Sequence, residues 1–161
     1  MKNLTLIIPA KREKESLPFV LNEIKHLDCN VSIVLDEKDQ ETISSIKNFN
    51  HRIIFQKDKG YGDALITGIE NTNTELFCIF NADGSFDPQE LNGMIKKLNS
   101  ENLDFLFASR YQSNSGSEDD NFITLIGNYI FTTLGKIFFR LKLTDILYTF
   151  VIGKTSSIRE L

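Results

Sequence analysis

The amino-acid sequence predicts an α/β fold in which a mostly parallel β-sheet is flanked by helices within a single domain. Strand-like apolar runs alternate with segments of helical periodicity, and 161 residues are enough to form one hydrophobic core. Residues 76–80 are apolar without interruption, which is typical of a central strand covered on both faces. Polar residues follow the predicted strands. Because parallel strands end at one edge of a sheet, these polar residues predict a ligand site at that edge.

Five strands are predicted from short apolar runs. They lie at residues 4–8, 31–35, 52–55, 75–80 and 103–108. The first helix begins near Ser16 and Pro18, and its apolar stripe consists of Leu17, Val20, Leu21, Ile24 and Leu27. Three more helices are predicted at residues 42–49, 62–71 and 88–98. This order of strands and helices implies right-handed crossovers between parallel strands.

The composition argues against several classes of function. A formal net charge of −4 and a pI near 5.2 argue against nucleic-acid binding, for which a basic face is expected. Cys29 and Cys78 are isolated in the sequence, so neither a zinc site nor a disulfide framework is predicted. The first apolar run, at residues 4–8, is too short for a signal peptide. A cytoplasmic protein with no nucleic-acid partner is therefore predicted.

Residues 80–88, with the sequence FNADGSFDP, form the most informative segment. A buried strand ends here in a short acidic turn, which Pro88 closes. Asp83 is expected at the C-terminal end of this strand, where a carboxylate suits a divalent cation that also holds a diphosphate. The alternative is an ordinary strand-to-helix turn in which Asp83 or Asp87 caps the next helix.

Polar groups follow the other predicted strands in the same way. Residues 9–13 follow the first strand, Asp36 and Glu37 the second, residues 59–63 the third, and Arg110 the fifth. Each group has a simpler explanation by itself, such as a solvated turn or a turn-forming glycine. Because all of them are expected at one edge of the sheet, the set favours a single binding site.

Five segments of the sequence resemble, in order, the motifs of family 2 glycosyltransferases. These segments are residues 7–13 (IIPAKRE), 33–37 (IVLDE), 60–69 (GYGDALITGI), 82–88 (ADGSFDP) and 109–111 (SRY). The similarity is greatest to the dolichol-phosphate-mannose-synthase-like branch of that family. It implies the GT-A fold, which agrees with the α/β prediction.

The resemblance also implies a binding site for a nucleoside-diphosphate sugar. Pro9 and Glu13 are expected to border the nucleotide, and Asp36 to read the edge of the base. Asp83 is expected to be the metal carboxylate and a catalytic residue, with Mg²⁺ or Mn²⁺ as the cofactor. Asn81 stands where the family has a further aspartate. The implied donor-binding set is Pro9, Glu13, Asp36, Glu37, Lys59, Gly60, Asn81 and Asp83.

On the acceptor side, the resemblance implies a polyprenyl phosphate or a cell-envelope glycan as the acceptor, with inversion at the anomeric carbon. Arg110 is expected to face the acceptor, where a guanidinium can hold a phosphate through two hydrogen bonds. Its alternative role is a surface ion pair with the acidic residues 118–120. Residues 144–147 correspond to an aspartate-containing segment of this branch near the acceptor, which makes Asp145 a catalytic candidate.

The expected chemistry depends on which acceptor is used. A phosphate acceptor is already anionic and needs no strong base, whereas a sugar hydroxyl needs a carboxylate to take its proton. Asp119, Asp120 and Asp145 are the candidates for that base. The chain is thus predicted to be a metal-dependent glycosyltransferase. The alternative is a non-catalytic fragment that binds a nucleotide sugar or regulates such an enzyme.

The last third of the chain is predicted to be less uniform, within one domain that spans residues 1–161. Residues 113–120 are predicted to form a mobile loop. Residues 121–150 are rich in aliphatic and aromatic side chains, but they are interrupted by polar residues and are not predicted to span a membrane. Two interpretations are open for this segment. It forms either an amphipathic helix on the inner face of the cell membrane or a helix that packs against a second copy of the chain.

Overall fold

The computed structural model describes residues 1–109, 122–139 and 144–160. Contacts divide the chain into two compact units. One unit consists of Met1–Leu106 with Val151–Leu161, and the other of Phe107–Phe150. The predicted loop at residues 113–120 lies outside the described residues. The predicted domain boundaries, with a single domain over residues 1–161, stay a prediction.

The described part of the chain forms a sheet of six strands in the order β3-β2-β1-β4-β6-β5. The strands are β1 (Leu4–Pro9), β2 (Asn30–Leu35), β3 (Arg52–Phe55), β4 (Leu76–Ile79), β5 (Phe105–Phe107) and β6 (Val151–Lys154). The first four are parallel to one another, and β6 pairs with β4 in the antiparallel direction. The prediction of a mostly parallel sheet flanked by helices is confirmed.

Strand β5 runs in the same direction as the parallel strands. The backbone N–H of Lys154 donates to the carbonyl of Asp104, and that of Ala108 donates to the carbonyl of Phe150, both at 2.9 Å. The two bonds join residues that advance along β5 and recede along β6, so these two strands are antiparallel. Since β6 is also antiparallel to β4, β5 has the direction of β4. Its C-terminal end therefore belongs to the same edge as the ends of the parallel strands.

Within the described ranges, six helices connect or follow the strands. They are α1 (Ser16–Ile24), α2 (Gln40–Ser45), α3 (Tyr61–Glu70), α4 (Glu90–Ser100), α5 (Phe122–Phe139) and α6 (Thr155–Arg159). The four helices predicted before residue 100 are all present, with shifted ends. Helix α2 begins two residues before the predicted position, because the Asp39 side chain accepts a hydrogen bond from the N–H of Thr42 and caps the helix there.

Helix α3 packs closely against the centre of the sheet. It contributes Ala64 to a buried cluster with Ile7, Val34 and Phe77, which come from three neighbouring strands. Gly68 makes this approach possible, since a Cβ atom at that position would lie 2.3 Å from Cγ2 of Ile7. The packing fixes α3 across β1 and β2. Its first turn, directly after Gly60, is therefore held at the end of the sheet where the strands terminate.

Strand β6 was not predicted from the sequence, and the prediction of five strands was wrong in this respect. The strand has only four residues, one of which is Gly153, and glycine is unfavourable inside strands. A Cβ atom at Gly153 would lie 2.5 Å from the ring of Phe105 and 3.1 Å from that of Phe77. The glycine is thus required by close packing against the neighbouring strands, which short-range sequence patterns do not reveal.

Helix α5, in the second unit, has an exposed apolar face. Its described exposed side chains include Tyr129, Ile130, Phe131, Leu134, Ile137 and Phe138, with Ile137 66% and Phe138 73% exposed. Among the α5 side chains that the structure describes, the buried ones are polar, namely Asn128 and Thr132. None of the helices in the described ranges has the length and apolar character that crossing a bilayer requires. The membrane-surface and second-copy interpretations of this segment both stay predictions.

Candidate functional site

The C-terminal ends of β2, β1 and β4 lie side by side in the sheet, as the predicted binding edge requires. The N–H of Ala10 donates to the carbonyl of Val34 at 2.9 Å, and the N–H of Phe80 donates to the carbonyl of Ile7 at the same distance. Pairing therefore continues up to the point where the three loops leave the sheet. The loops that carry Glu13, Asp36 and Asp83 consequently start from adjacent strands.

Asp83 lies in a structured turn just beyond the end of β4. Its Oδ1 accepts a hydrogen bond from the N–H of Ser85 at 2.9 Å, and Nδ2 of Asn81 donates to the Ser85 hydroxyl at 3.0 Å. Gly84 has a φ of 82°, a left-handed conformation that favours glycine at this place. The Asp83 side chain is exposed to solvent. The turn thus presents a carboxylate oxygen outward while its backbone is held by local hydrogen bonds.

This turn offers oxygen donors of the type that Mg²⁺ and Mn²⁺ prefer. One carboxylate oxygen of Asp83 and the side-chain oxygen of Asn81 accept no hydrogen bond within the described chain. No three His, Cys, Asp or Glu side chains come together as a metal centre in the described ranges. Mg²⁺ is commonly held by one or two carboxylates together with substrate phosphates and water. The donor set therefore fits a divalent ion that shares its coordination with a diphosphate.

The loop after β1 is clamped to the start of α2. The N–H of Arg12 donates to Oδ2 of Asp39 at 2.7 Å, and the N–H of Glu13 donates to the Thr42 hydroxyl at 3.0 Å. Arg12 has a φ of 61°, a left-handed conformation that is uncommon for residues other than glycine. An ion pair between Lys14 and Glu41, at 2.8 Å, joins the same two segments. These contacts hold the β1–α1 loop in a strained but defined shape.

A cavity of about 670 Å³ lies between these two loops. Its lining contains four basic and three acidic side chains, together with Gln40 and Thr42; the charged residues are Lys11, Arg12, Lys14, Asp36, Lys38, Asp39 and Glu41. Asp36 is exposed in the lining, and its Oδ1 accepts a hydrogen bond from the N–H of Lys38 at 2.9 Å. Asp36 therefore shapes its own turn with one oxygen and presents the other to the cavity.

Asp39 accepts hydrogen bonds from both segments of this clamp, and its contribution to the stability of the fold should vary with pH. Burial would raise the pKa of its carboxyl group, but hydrogen bonds from the N–H of Arg12 and from Thr42 outweigh burial and hold that pKa below its ordinary value. A lowered folded-state pKa means that the ionised group stabilises the fold above about pH 4. This stabilisation is lost as the pH falls through the folded-state pKa.

We expect Asp39→Ala to lower the free energy of unfolding at neutral pH by about 0.5–2 kcal/mol, because it removes the cap of α2 and the acceptor for the Arg12 N–H. Urea denaturation at neutral pH and near pH 3, about one unit below the ordinary pKa of an aspartate, checks this. The difference from the unsubstituted protein should shrink in acid. A difference that is equal at both pH values would mean that the carboxylate charge contributes nothing to the clamp.

The other residues of the predicted donor-binding set lie at the same edge. Pro9 ends β1, and the Glu13 carboxylate accepts a hydrogen bond from the Ser16 hydroxyl at the start of α1. Glu37 is exposed beside Asp36. Lys59 is exposed between β3 and α3, and Gly60, with a φ of 108°, directly precedes α3 as its N-cap residue. The cavity between the two loops includes Asp36 but none of Pro9, Glu13, Glu37, Lys59, Gly60, Asn81 and Asp83.

The predicted acceptor-side residues belong to the second unit. Asp145 is only 2% exposed, and its Oδ1 accepts a hydrogen bond from Nδ2 of Asn128 at 2.9 Å. The Thr132 hydroxyl continues this network by accepting a hydrogen bond from the N–H of Ile146 at 3.2 Å. Asp145 therefore has a structural role in attaching residues 144–147 to α5, and its catalytic role stays a prediction. Arg110, Asp119 and Asp120 lie outside the described residues.

The clamp formed by Asp39 and Thr42 was missed in the sequence. An aspartate followed three residues later by threonine, just before a helical segment, is a recognisable capping signal. The bond from Asp39 to Arg12 has no such signal, because the two residues lie 27 positions apart and the bond needs the unusual backbone conformation of Arg12.

Comparison with known sequences identifies related proteins. The model of the family "Glycosyl transferase family 2" matches residues 5–161. An uncharacterised glycosyltransferase of Mycobacterium tuberculosis is 26% identical over 95 residues, covering 59% of this chain and 43% of that protein. An uncharacterised protein of Methanocaldococcus jannaschii is 23% identical over 129 residues, covering 77% of this chain and 53% of that protein. The chain spans about half the length of these relatives.

Several solved structures share the fold of this chain. Mannosyl-3-phosphoglycerate synthase from Rubrobacter xylanophilus has a TM-score of 0.73 at 15% identity, covering 96% of this chain and 53% of that one. Glucosyl-3-phosphoglycerate synthase from Mycobacterium tuberculosis, in complex with Mn²⁺, UDP and glucosyl-3-phosphoglycerate, has a TM-score of 0.73 at 11% identity, covering 96% and 57%. At these identities the likeness establishes the fold. The predicted GT-A fold is confirmed.

Proposed function

The chain belongs to glycosyltransferase family 2, and we propose that it transfers a sugar from a nucleoside-diphosphate sugar to an acceptor with the help of Mg²⁺ or Mn²⁺. The observation that carries this proposal is the position of Asp83. Its carboxylate stands in a preformed turn at the end of β4, next to the loops that follow β1 and β2. Oxygen donors at this edge can hold a cation against a diphosphate.

In the proposed reaction, the bond between the anomeric carbon and the diphosphate breaks while an acceptor oxygen bonds to the opposite face of that carbon. The leaving nucleoside diphosphate takes the electron pair, and the configuration inverts. Asp83 and the side-chain oxygen of Asn81 would hold the metal ion. A divalent ion in that place stabilises the negative charge that develops on the leaving group.

The donor would lie across the loops of the sheet edge. Asp36 would accept a hydrogen bond from the base, while Pro9, Glu13 and Glu37 would border the nucleoside. Lys59 is exposed and forms no hydrogen bond or ion pair within the described chain, so its ammonium group is available to a phosphate. The complex of the glucosyl-3-phosphoglycerate synthase with UDP makes uridine nucleotides the first donors to test.

For the acceptor we propose a polyprenyl phosphate, with a cell-envelope glycan as the second candidate. A phosphate oxygen is already charged near neutral pH, so it can attack without a strong base, and Arg110 would hold it by two hydrogen bonds. A glycan hydroxyl would instead need Asp119, Asp120 or Asp145 as its base. The burial of Asp145 against Asn128 favours the phosphate acceptor over a mechanism that requires Asp145 to exchange protons with a substrate.

The exposed apolar face of α5 supports a lipid-linked acceptor at the cytoplasmic face of a membrane. Ile130, Leu134, Ile137 and Phe138 are exposed on this helix, and the basic residue Lys136 lies in its last turn. Two further basic residues, Arg140 and Lys142, follow in the sequence. An apolar face flanked by positive charges suits an anionic lipid surface. Pairing of this face with a second copy of the chain is the other outcome to be tested.

We expect Arg110→Lys to bind the nucleotide sugar almost normally but to require at least about tenfold more lipid phosphate for half-maximal transfer, because lysine keeps the charge and loses the two-bond geometry. Kinetics at varied acceptor and saturating donor measure this. Hydrolysis of the donor by water should change little and serves as the internal control. If the variant instead loses affinity for the donor, Arg110 binds the donor and not the acceptor.

A transfer assay tests the proposed function as a whole. A panel of nucleoside-diphosphate sugars is supplied with Mg²⁺ or Mn²⁺ and with one of three acceptors: polyprenyl phosphate in anionic vesicles, the same lipid in detergent, or a soluble glycan. We expect transfer to the lipid phosphate, faster on vesicles than in detergent. Metal-dependent binding of a nucleotide sugar without any turnover would favour the alternative function, a non-catalytic binding or regulatory fragment. Absence of binding would refute both.

A further inference from the structure

A second polar cavity lies at the opposite edge of the sheet, where the strands begin. It has a volume of about 310 Å³ and lies at the starts of β1, β2 and β3 and beside the loop between α3 and β4. Its lining residues all belong to the unit that contains Met1–Leu106. None of the described residues proposed to bind the donor or the metal lines it. It is therefore a separate site, and its chemistry can be considered independently.

The lining of this cavity combines a positive charge with neutral polar side chains. Among the described residues no aspartate or glutamate lines it, although the sequence has 22 acidic residues. Arg52 supplies a permanent positive charge. Two of its N–H groups donate to the carbonyl and the side-chain oxygen of Asn71, at 3.3 and 3.4 Å. The remaining N–H groups of the guanidinium are left for other partners.

Several polar groups in the lining have no hydrogen-bond partner among the described residues. The side-chain amides of Asn30, Asn50 and Asn73 form no hydrogen bond with any described residue, and all three are exposed. Unpaired amides that line a cavity are available as donors and acceptors for a ligand.

Other polar groups of the lining already have hydrogen-bond partners within the chain. The Thr5 and Thr74 hydroxyls lie 2.7 Å apart and share a hydrogen bond, and Thr74 also donates to the carbonyl of Leu76. Nδ2 of Asn71 donates to the carbonyl of Thr67 at the end of α3. Thr5, Asn71 and Thr74 are thus held by internal hydrogen bonds, while the amides of Asn30, Asn50 and Asn73 are left unpaired.

We propose that this cavity binds a small metabolite that carries a phosphate or carboxylate group. The anionic group contacts Arg52, whose planar guanidinium matches both anions through paired hydrogen bonds. The amides of Asn30, Asn50 and Asn73 bind the other polar atoms of the ligand, since each amide offers both donors and an acceptor. The volume of about 310 Å³ suits a small ligand, at the lower end of the range for small-molecule sites.

Titration with inorganic phosphate and, separately, with malonate tests the proposal, with the backbone amide signals followed by NMR. Each titration is done with and without UDP, so that anions bound at the opposite edge are recognised. We expect saturable shifts at residues 29–32, 50–52 and 71–74 that persist with UDP. The stronger of the two responses identifies the phosphate or the carboxylate as the preferred group. The outcome does not depend on whether the chain transfers sugar.

Two matched substitutions decide whether the binding is specific. Asn30→Asp places a carboxylate in the cavity, and Asn92→Asp makes the same charge change at an exposed position of α4. We expect the first to weaken anion binding at least about fivefold and the second to leave it nearly unchanged. Arg52→Lys should weaken binding while keeping the charge. The proposal would be overturned if the shifts do not saturate, or if Asn30→Asp and Asn92→Asp change the anion affinity equally. Either result would mean an adventitious ion only.

Discussion

Asp83→Asn should remove the gain in UDP affinity that Mn²⁺ or Mg²⁺ produces, while the fold is retained. The substitution keeps the size of the side chain and an oxygen that can accept the Ser85 N–H bond, but it removes the negative charge. Since Asn81 is neutral, Asp83 is the charged donor of this turn that a metal ion can use. Calorimetric titration of UDP with and without the metal should show at least about a tenfold loss of the metal-dependent affinity.

Asp87→Asn is the matched control for this experiment. Asp87 is exposed a few residues further along, and its Oδ1 accepts a hydrogen bond from the N–H of Gln89 at 2.8 Å, just as Asp83 accepts one from Ser85. The control changes the same charge in a similar turn. It should leave metal-dependent binding intact. If both variants bind alike, or if Asp83→Asn still responds to the metal, Asp83 is not the metal carboxylate.

Gly68→Ala should destabilise the protein by about 1–3 kcal/mol, even though alanine is the better helix former. The added Cβ would lie 2.3 Å from Cγ2 of Ile7 and 3.2 Å from Cγ2 of Val34. Both neighbours are fully buried in central strands, so they cannot move aside without disturbing the core. Urea denaturation measures the expected loss in the free energy of unfolding.

Gly93→Ala gives the opposite expectation and serves as the control. Gly93 lies in the middle of α4, and a Cβ atom there meets nothing within 4 Å. Alanine at this position should be neutral or stabilise the protein by up to about 1 kcal/mol. If the two substitutions change stability equally, the close packing of α3 against β1 has no energetic importance.

The parts of the fold that the sequence predicted well are those with a strong local pattern. The uninterrupted apolar run of β4 is buried along its whole length, as a strand covered on both faces must be. The polar residues after β1, β2 and β4 start from adjacent strands, as expected if parallel strands share one edge. These predictions needed only apolar periodicity and the rule for parallel sheets.

The features that were missed depend on contacts between residues far apart in the chain. Strand β6 depends on the close approach of Phe105 to Gly153, and the loop clamp depends on the bond between Arg12 and Asp39. On α5 the apolar residues were evident in the sequence. The sequence did not show that Asn128 and Thr132 would be buried. Polar side chains are buried only when they find hydrogen-bond partners, and these partners lie elsewhere in the chain.

Paramagnetic broadening by Mn²⁺ tests most directly whether this edge of the sheet binds a metal ion with a nucleoside diphosphate. Backbone amide signals are recorded with substoichiometric Mn²⁺, first alone and then with UDP. We expect UDP to increase the loss of signal strongly, the loss to be greatest at residues 82–85, and Asp83→Asn to abolish it. Broadening that is unchanged by UDP, or that is centred elsewhere in the protein, would contradict a metal-assisted donor site at Asp83.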